Sequence, residues 1–188
     1  MTSVLVLGAT GRSGAAVIAE LPPSVRVVAA LRSPRDATRP PTVPAPVEAV
    51  VLDLTDPTSV RAAARGIDVV VNAVRLREDI PPAALVDLHE SLRSAAPNDP
   101  GIVTVGGAGS LHLPDGTRFW RHPSFPPPTL PRGIAHAQLR DHLESGAAGA
   151  GWVYLIPPPT FVPDGPRLGD FASSDRPPTS TRSRRPEP

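Results

Sequence analysis

Apolar residues come in short runs along most of this chain, separated by polar stretches rich in glycine or proline. Val4–Leu7 (VLVL), Val25–Leu31 (VRVVAAL), Val47–Leu52 (VEAVVL), Ile67–Ala73 (IDVVVNA), Ile102–Val105 and Trp152–Ile156 (WVYLI) each have the length of a buried strand. Between them lie segments with helical character. Ala15–Leu21 follows the first strand, and a helix opens at Asp56-Pro57, with aspartate as cap and proline in the first turn, and runs to Arg65. Pro82–Ala96 places Leu85, Leu88 and Leu92 on one helical face, and a further helix is expected from about Ile134 to Ser145. Ser33–Pro46 carries too many prolines for a regular helix, and the stretch from Gly106 to Gly133 reads as loop. Strands alternating with helices predict an α/β fold: a Rossmann-like, doubly wound parallel sheet of about six strands with helices on both faces.

The pattern ends near residue 165. Residues 1–165 form the expected domain, and 166–188 a tail rich in proline and arginine. Few large apolar residues follow Phe171, so Ser173–Pro188 is expected to stay disordered, unable to bury enough surface to offset its ordering entropy. The basic end (Arg182, Arg184, Arg185) reads as a solvated tail rather than a nucleic-acid or lipid contact.

Composition removes several chemistries. There is no cysteine, which excludes disulfides and thiolate chemistry and agrees with a reducing cytoplasm. All 19 basic residues are arginine, so no step can use a lysine amine. A net charge of +1 gives no field to argue for nucleic acid as the main partner. The apolar run at the start is too short for a signal peptide, and no stretch reaches the length of a membrane span. His112, Asp115 and His122 match no metal-ligand spacing, so no metal is expected.

The most specific motif is VLVLGATGRSG at Val4–Gly14. A strand that ends in a glycine-spaced turn and opens a helix is built to bind phosphate. Gly8 permits a sharp turn, Gly11 lets backbone approach a diphosphate, and Gly14 lets the helix lie close on the strand. The helix start then offers its N–H groups. In this context the motif points to a dinucleotide.

Six motifs in order carry a family resemblance: GATGRSG at Gly8–Gly14, LRSP at Leu31–Pro34, LDLTD at Leu52–Asp56, VVNAV at Val70–Val74, VGGAGSL at Val105–Leu111 and YLIPPP at Tyr154–Pro159. Over about residues 2–165 the chain resembles the NAD(P)H-binding, NmrA-like atypical short-chain dehydrogenase/reductases, which include flavin-reductase-like and biliverdin-reductase-like proteins. The resemblance implies that Gly8, Gly11 and Gly14 hold the cofactor's diphosphate, lined by Thr10, Arg12 and Ser13. It implies that Asp53 and Leu54 lie beside the adenine and Ala73 beside the inner ribose. Gly106 and Gly107 would flank the nicotinamide, with Pro157 and Pro158 closing that end.

Arg32 ends the second strand where NAD enzymes of this fold carry an acidic residue for the ribose 2′-hydroxyl. A guanidinium suits a 2′-phosphate, so NADP(H) is expected over NAD(H), with Arg12 in support; otherwise Arg32 is a solvated strand-end residue. Short-chain dehydrogenases use a tyrosine with a lysine four residues on. Here lysine is absent and the only tyrosine, Tyr154, falls in the sixth strand. Ser110, His136 and Arg140 are the remaining catalytic candidates. His136 and Arg140 share a helical face and could act as proton donor and neighbouring cation, or be an exposed charged face. Ser110 could polarise a carbonyl or be a plain turn serine. Phe119, Trp120 and Phe125 could stack on a flat substrate or anchor their loop.

The expected function is an NADPH-dependent reductase passing hydride to a small planar acceptor, such as a flavin or quinone. A non-catalytic NADP(H) sensor or interaction protein is the alternative, and a nucleotide-sugar epimerase or dehydratase a weaker one. The resemblance also implies a small substrate lobe after the sixth strand. That region fades into proline, serine and arginine, so the lobe is expected to be reduced or missing, or replaced by a frame-shifted remnant from about Asp164–Ser174.

Overall fold

A computed structural model describes residues 1–36, 47–76, 81, 83–95 and 100–160. Among these residues six strands form one sheet: β1 (Ser3–Leu7), β2 (Arg26–Leu31), β3 (Val47–Val51), β4 (Val69–Asn72), β5 (Gly101–Val105) and β6 (Trp152–Leu155). Every pairing is parallel and the order is β3-β2-β1-β4-β5-β6. The chain therefore reverses its winding direction between β1 and β4, and it is outside the carboxyl ends of strands at such a reversal that α/β sheets bind ligands.

Among the described residues four helices cover the sheet: α1 (Arg12–Glu20), α2 (Pro57–Ala64), α3 (Ala84–Arg93) and α4 (Leu130–Glu144). Along each strand successive side chains point to opposite faces. Leu5, Leu7, Val28 and Val70 pack with Val60 and Ala64 of α2 and Leu88 and Leu92 of α3. Beyond them Leu85, Ala135, Leu139 and Leu143 join α3 and α4 to Trp152 and Tyr154. The opposite face carries Val4, Val6, Val27 and Val71 against Ile18 of α1. Among the described residues three helices thus cover one face and α1 alone the other. The lone helix leaves Val153 and Leu155 of the β6 edge half exposed.

The expected elements are present, with local shifts. α1 starts at Arg12 rather than Ala15, because Gly11 itself serves as the cap residue. α4 starts at Leu130, within the stretch expected as loop up to Gly133. Pro131 falls in its first turn, where a missing N–H costs no helical bond. α2 follows expectation: Asp56 accepts from the Thr58 and Ser59 amides and Pro57 opens the helix. Leu85, Leu88 and Leu92 are all buried. Residues 37–46, the tail 166–188 with its arginines, the boundary at 165 and the substrate-lobe region lie outside the described residues.

Candidate active site at the strand ends

The carboxyl ends of β1 and β4 meet at the first glycine loop. Gly8 has φ +74°, a left-handed conformation that glycine adopts without penalty. A Cβ there would also stand 2.5 Å from the Ala73 carbonyl oxygen at the end of β4. The Gly11 amide donates to Gly8 O at 2.9 Å, closing the turn. A Cβ at Gly14 would fall on Gly8 O, so α1 lies directly on the loop.

α2 is capped by Asp56, whereas Gly11 offers α1 no side-chain acceptor and the first turn of α1 contains no acidic residue. α3 and α4 likewise make no side-chain cap bond, so what sets this helix start apart is its place behind the Gly8 turn at the reversal point of the sheet. The first amides of a helix have no intrahelical acceptor. Together with the partial positive charge of the helix start, they suit a diphosphate. The residues present fit the dinucleotide group on this ground.

The other expected cofactor positions share that end of the sheet. Arg32 is exposed immediately after β2. Arg12 is exposed at the start of α1. Asp53 follows β3, and its carboxylate accepts from the Thr55 amide (2.9 Å) and hydroxyl (2.7 Å), bonds that hold it below the usual carboxylate range. Leu54 packs partly on the core between sheet and α2. Ala73 continues the β1 ladder through its amide to Leu7 O. Pro157 and Pro158 follow β6, the first half-buried and the second exposed. A hollow of about 430 Å³ lined by Met1, Arg26, Val47 and Glu48 lies at the opposite, amino-terminal end of the strands.

Beyond β5 the second glycine cluster enters a tightly held turn. The Gly106 amide donates to Leu155 O at 2.8 Å. Ser110 is fully buried, and both its hydroxyl (2.7 Å) and its amide (3.0 Å) donate to Gly107 O. Two guanidinium groups, those of Arg118 (2.7 Å) and Arg140 (2.8 Å), donate to the single carbonyl oxygen Ser110 O. Arg140 also bonds Glu144 at 2.6 Å, and Arg118 bonds Asp141 and Glu144. Two positive and two negative side chains thus balance one another and clamp the turn to α4.

Two of the catalytic candidates are committed to this clamp. Ser110 fits the turn-serine reading, and Arg140, only 4% exposed, is a clamp rather than part of a charged surface. His136 lies one helical turn before Arg140 but is itself largely enclosed. Burial, with the nearby Arg132 charge, pushes its pKa down to about 4, so it is neutral near pH 7 and poorly suited to donate a proton there. Phe125 and Trp120 pack against Gly133 at the start of α4, and Phe119 meets Phe125 edge-to-face at 5.3 Å. These contacts favour the anchoring reading of the aromatic loop. His112, Asp115 and His122 bond to Gly116 O, Thr117 and Ser124 respectively, and no group of three potential metal ligands occurs among the described residues. No helix among them is long and apolar enough to cross a membrane.

Sequence reasoning did not find Tyr154. Its hydroxyl lies 3.1 Å from His136 O and 3.3 Å from His136 Nδ1. Burial raises its pKa, and hydrogen bonding around Ser110 and Gly107 offsets this only in part. The available signal was positional: Tyr154 alternates with Val153 and Leu155, which placed it on the helix-covered face. Arg118 was also missed, because its carboxylate partners Asp141 and Glu144 lie far along the chain, and so was Glu144, although it stands one helical turn from Arg140.

A family model described as NAD(P)H-binding matches residues 8–183. No curated protein matches the chain. Among solved structures, a candidate NADH-flavin reductase from Streptococcus pneumoniae TIGR4 is 24% identical with TM-score 0.72, over 93% of this chain and 84% of that one. A candidate epimerase from Bacteroides thetaiotaomicron is 23% identical with TM-score 0.69, over 91% and 77%. A candidate exported protein from Burkholderia pseudomallei is 28% identical with TM-score 0.61, over 84% and 72%.

Proposed function

The chain belongs to the NAD(P)H-binding family, and from that premise we propose that it is an NADPH-dependent reductase whose acceptor is small and planar, a flavin or quinone. The observation that carries this reading is the uncapped start of α1 behind the Gly8 turn, at the reversal point of a parallel sheet. Gly8, Thr10, Gly11, Arg12, Ser13 and Gly14 hold the diphosphate. Asp53 and Leu54 line the adenine, Ala73 the inner ribose, and Gly106, Gly107, Pro157 and Pro158 the nicotinamide end. Arg32, with Arg12, takes the 2′-phosphate and sets the preference for NADP(H), since a guanidinium fork matches phosphate oxygens. The absence of cysteine is consistent with a cytoplasmic setting.

A bound nicotinamide supplies the hydride. The chain's own part is to hold, orient and shield, which suffices where the acceptor needs no protein acid. That division agrees with a chain lacking lysine and holding His136 neutral. The same two facts favour the second reading, a non-catalytic NADP(H) sensor. Steady-state oxidation of NADPH with FMN or a quinone decides between them. Acceptor-dependent oxidation is the expected result, and tight NADPH binding without oxidation would establish the sensor.

A further inference from the structure

We propose that Tyr154 is a positioning residue for the nicotinamide half of the cofactor, acting through His136 and the backbone of Gly106 and Gly107. The inference rests on the cofactor reading above. A Cβ at Gly106 would fall on the ring and hydroxyl of Tyr154, and a Cβ at Gly107 would stand 2.8 Å from the His136 ring. At these two positions the space is taken by aromatic side chains lying behind the strand end. Loop, tyrosine and histidine therefore form one packed unit.

That unit sits at the strand ends. In the sheet, Leu7 pairs with Asn72, Asn72 with Thr104, and Thr104 with Tyr154. Asn72, Thr104 and Tyr154 thus form one row on one face, a polar row beneath the last turns of β4, β5 and β6. Asn72 and Thr104 are both buried. Asn72 Oδ1 accepts from the Val74 amide at 3.3 Å and steadies the turn after β4. Tyr154 serves the turn after β5 in the same way, but through a histidine on α4. A merely apolar filler would need no hydroxyl.

The hydroxyl has one proton for its two contacts with His136. The arrangement that satisfies both has the Tyr154 hydroxyl donating to His136 O and the His136 Nδ1–H donating to the hydroxyl oxygen. This fixes the imidazole tautomer and holds the ring beside Gly107. Clamped from the far side by Arg118 and Arg140 at Ser110 O, the 106–110 turn is held on both flanks. The adenine half in this reading, by contrast, draws on the ends of β1, β2 and β3 and the start of α1, and includes none of these groups. Tyr154 should therefore affect one half of the cofactor and not the other.

Calorimetry on the full chain tests this, with NADPH and with 2′-phospho-ADP-ribose, which is the same nucleotide without its nicotinamide. Tyr154→Phe keeps the ring and removes the latch. NADPH affinity should fall about 3- to 10-fold, the range of one hydrogen bond, while 2′-phospho-ADP-ribose affinity stays within about twofold. The shift in fluorescence of bound NADPH should shrink as well. His136→Gln is a second variant, and its loss should not add to that of Tyr154→Phe, because both break one latch. Unchanged NADPH affinity in Tyr154→Phe overturns the proposal. Equal loss for both nucleotides also overturns it, by showing a general structural role. Wild-type protein that binds neither nucleotide overturns the cofactor reading itself, and is seen before any substitution is made.

Discussion

The two glycine clusters at the strand ends look alike in sequence but are glycine for different reasons. In the first, each missing Cβ makes way for backbone: Gly14 for Gly8 O, and Gly8 for Ala73 O. In the second, the missing Cβ atoms of Gly106 and Gly107 make way for the rings of Tyr154 and His136, and only Gly109, against Gly133, makes way for backbone. Backbone at the centre of a sheet cannot move aside, whereas a side chain can change rotamer. The first loop is thus fixed by backbone against backbone, and Gly106 and Gly107 of the second by side-chain packing.

The largest expected effect comes from Gly14→Ala. Its Cβ meets a carbonyl that no side-chain change can relocate, so the protein should lose about 3 kcal/mol or more, with nucleotide binding abolished. Urea unfolding and NADPH titration would measure both.

The second cluster has a pH signature instead. Folding lowers the His136 pKa from 6.5 to about 4. Between these values the unfolded chain binds a proton that the folded chain refuses, so stability rises with pH across the window. The contribution is fully present above pH 6.5 and is lost as pH falls toward 4, by about 3 kcal/mol in all. The lowered carboxylates, such as Glu90 beside His142 and Asp68 beside Ser3, act at the acid end of that range. Denaturant midpoints of the wild type and His136→Gln between pH 7 and 5 isolate the histidine. The variant should show a flatter profile, and parallel profiles would remove His136 from the account.

Arg32 sharpens the adenine side. Arg32→Ala should weaken NADPH by about 1.5–3 kcal/mol, the worth of a charged hydrogen bond, and leave NADH nearly unchanged. Equal loss for both coenzymes would give the arginine another role. Gly106→Ala should be the mildest, costing about 1–2 kcal/mol as Tyr154 is displaced. It should also be partly rescued by Tyr154→Leu, a rescue with no counterpart at Gly14. Failure of that rescue would dissolve the distinction between the clusters.

The same distinction explains what could be read in the sequence. β1, the Gly8 turn and α1 are contiguous, and so are Asp56, Pro57 and α2, so local rules placed them closely. The leucines of α3 show their face by spacing alone. The start of α4 was missed because Pro131 reads as a breaker unless its place in a first turn is known. His136 and Arg140 share a helical face in sequence. Only packing shows that Arg140 reaches back 30 residues to Ser110 O and that Tyr154 covers His136.

The most direct test of the central claim is an amide NMR titration of the full chain with NADPH. The account predicts the largest shifts at the amides of Gly11, Arg12, Ser13 and Gly14, with the capped amides of Thr58 and Ser59 unmoved. NADPH bound with those four signals unchanged, or no binding at all, would contradict it.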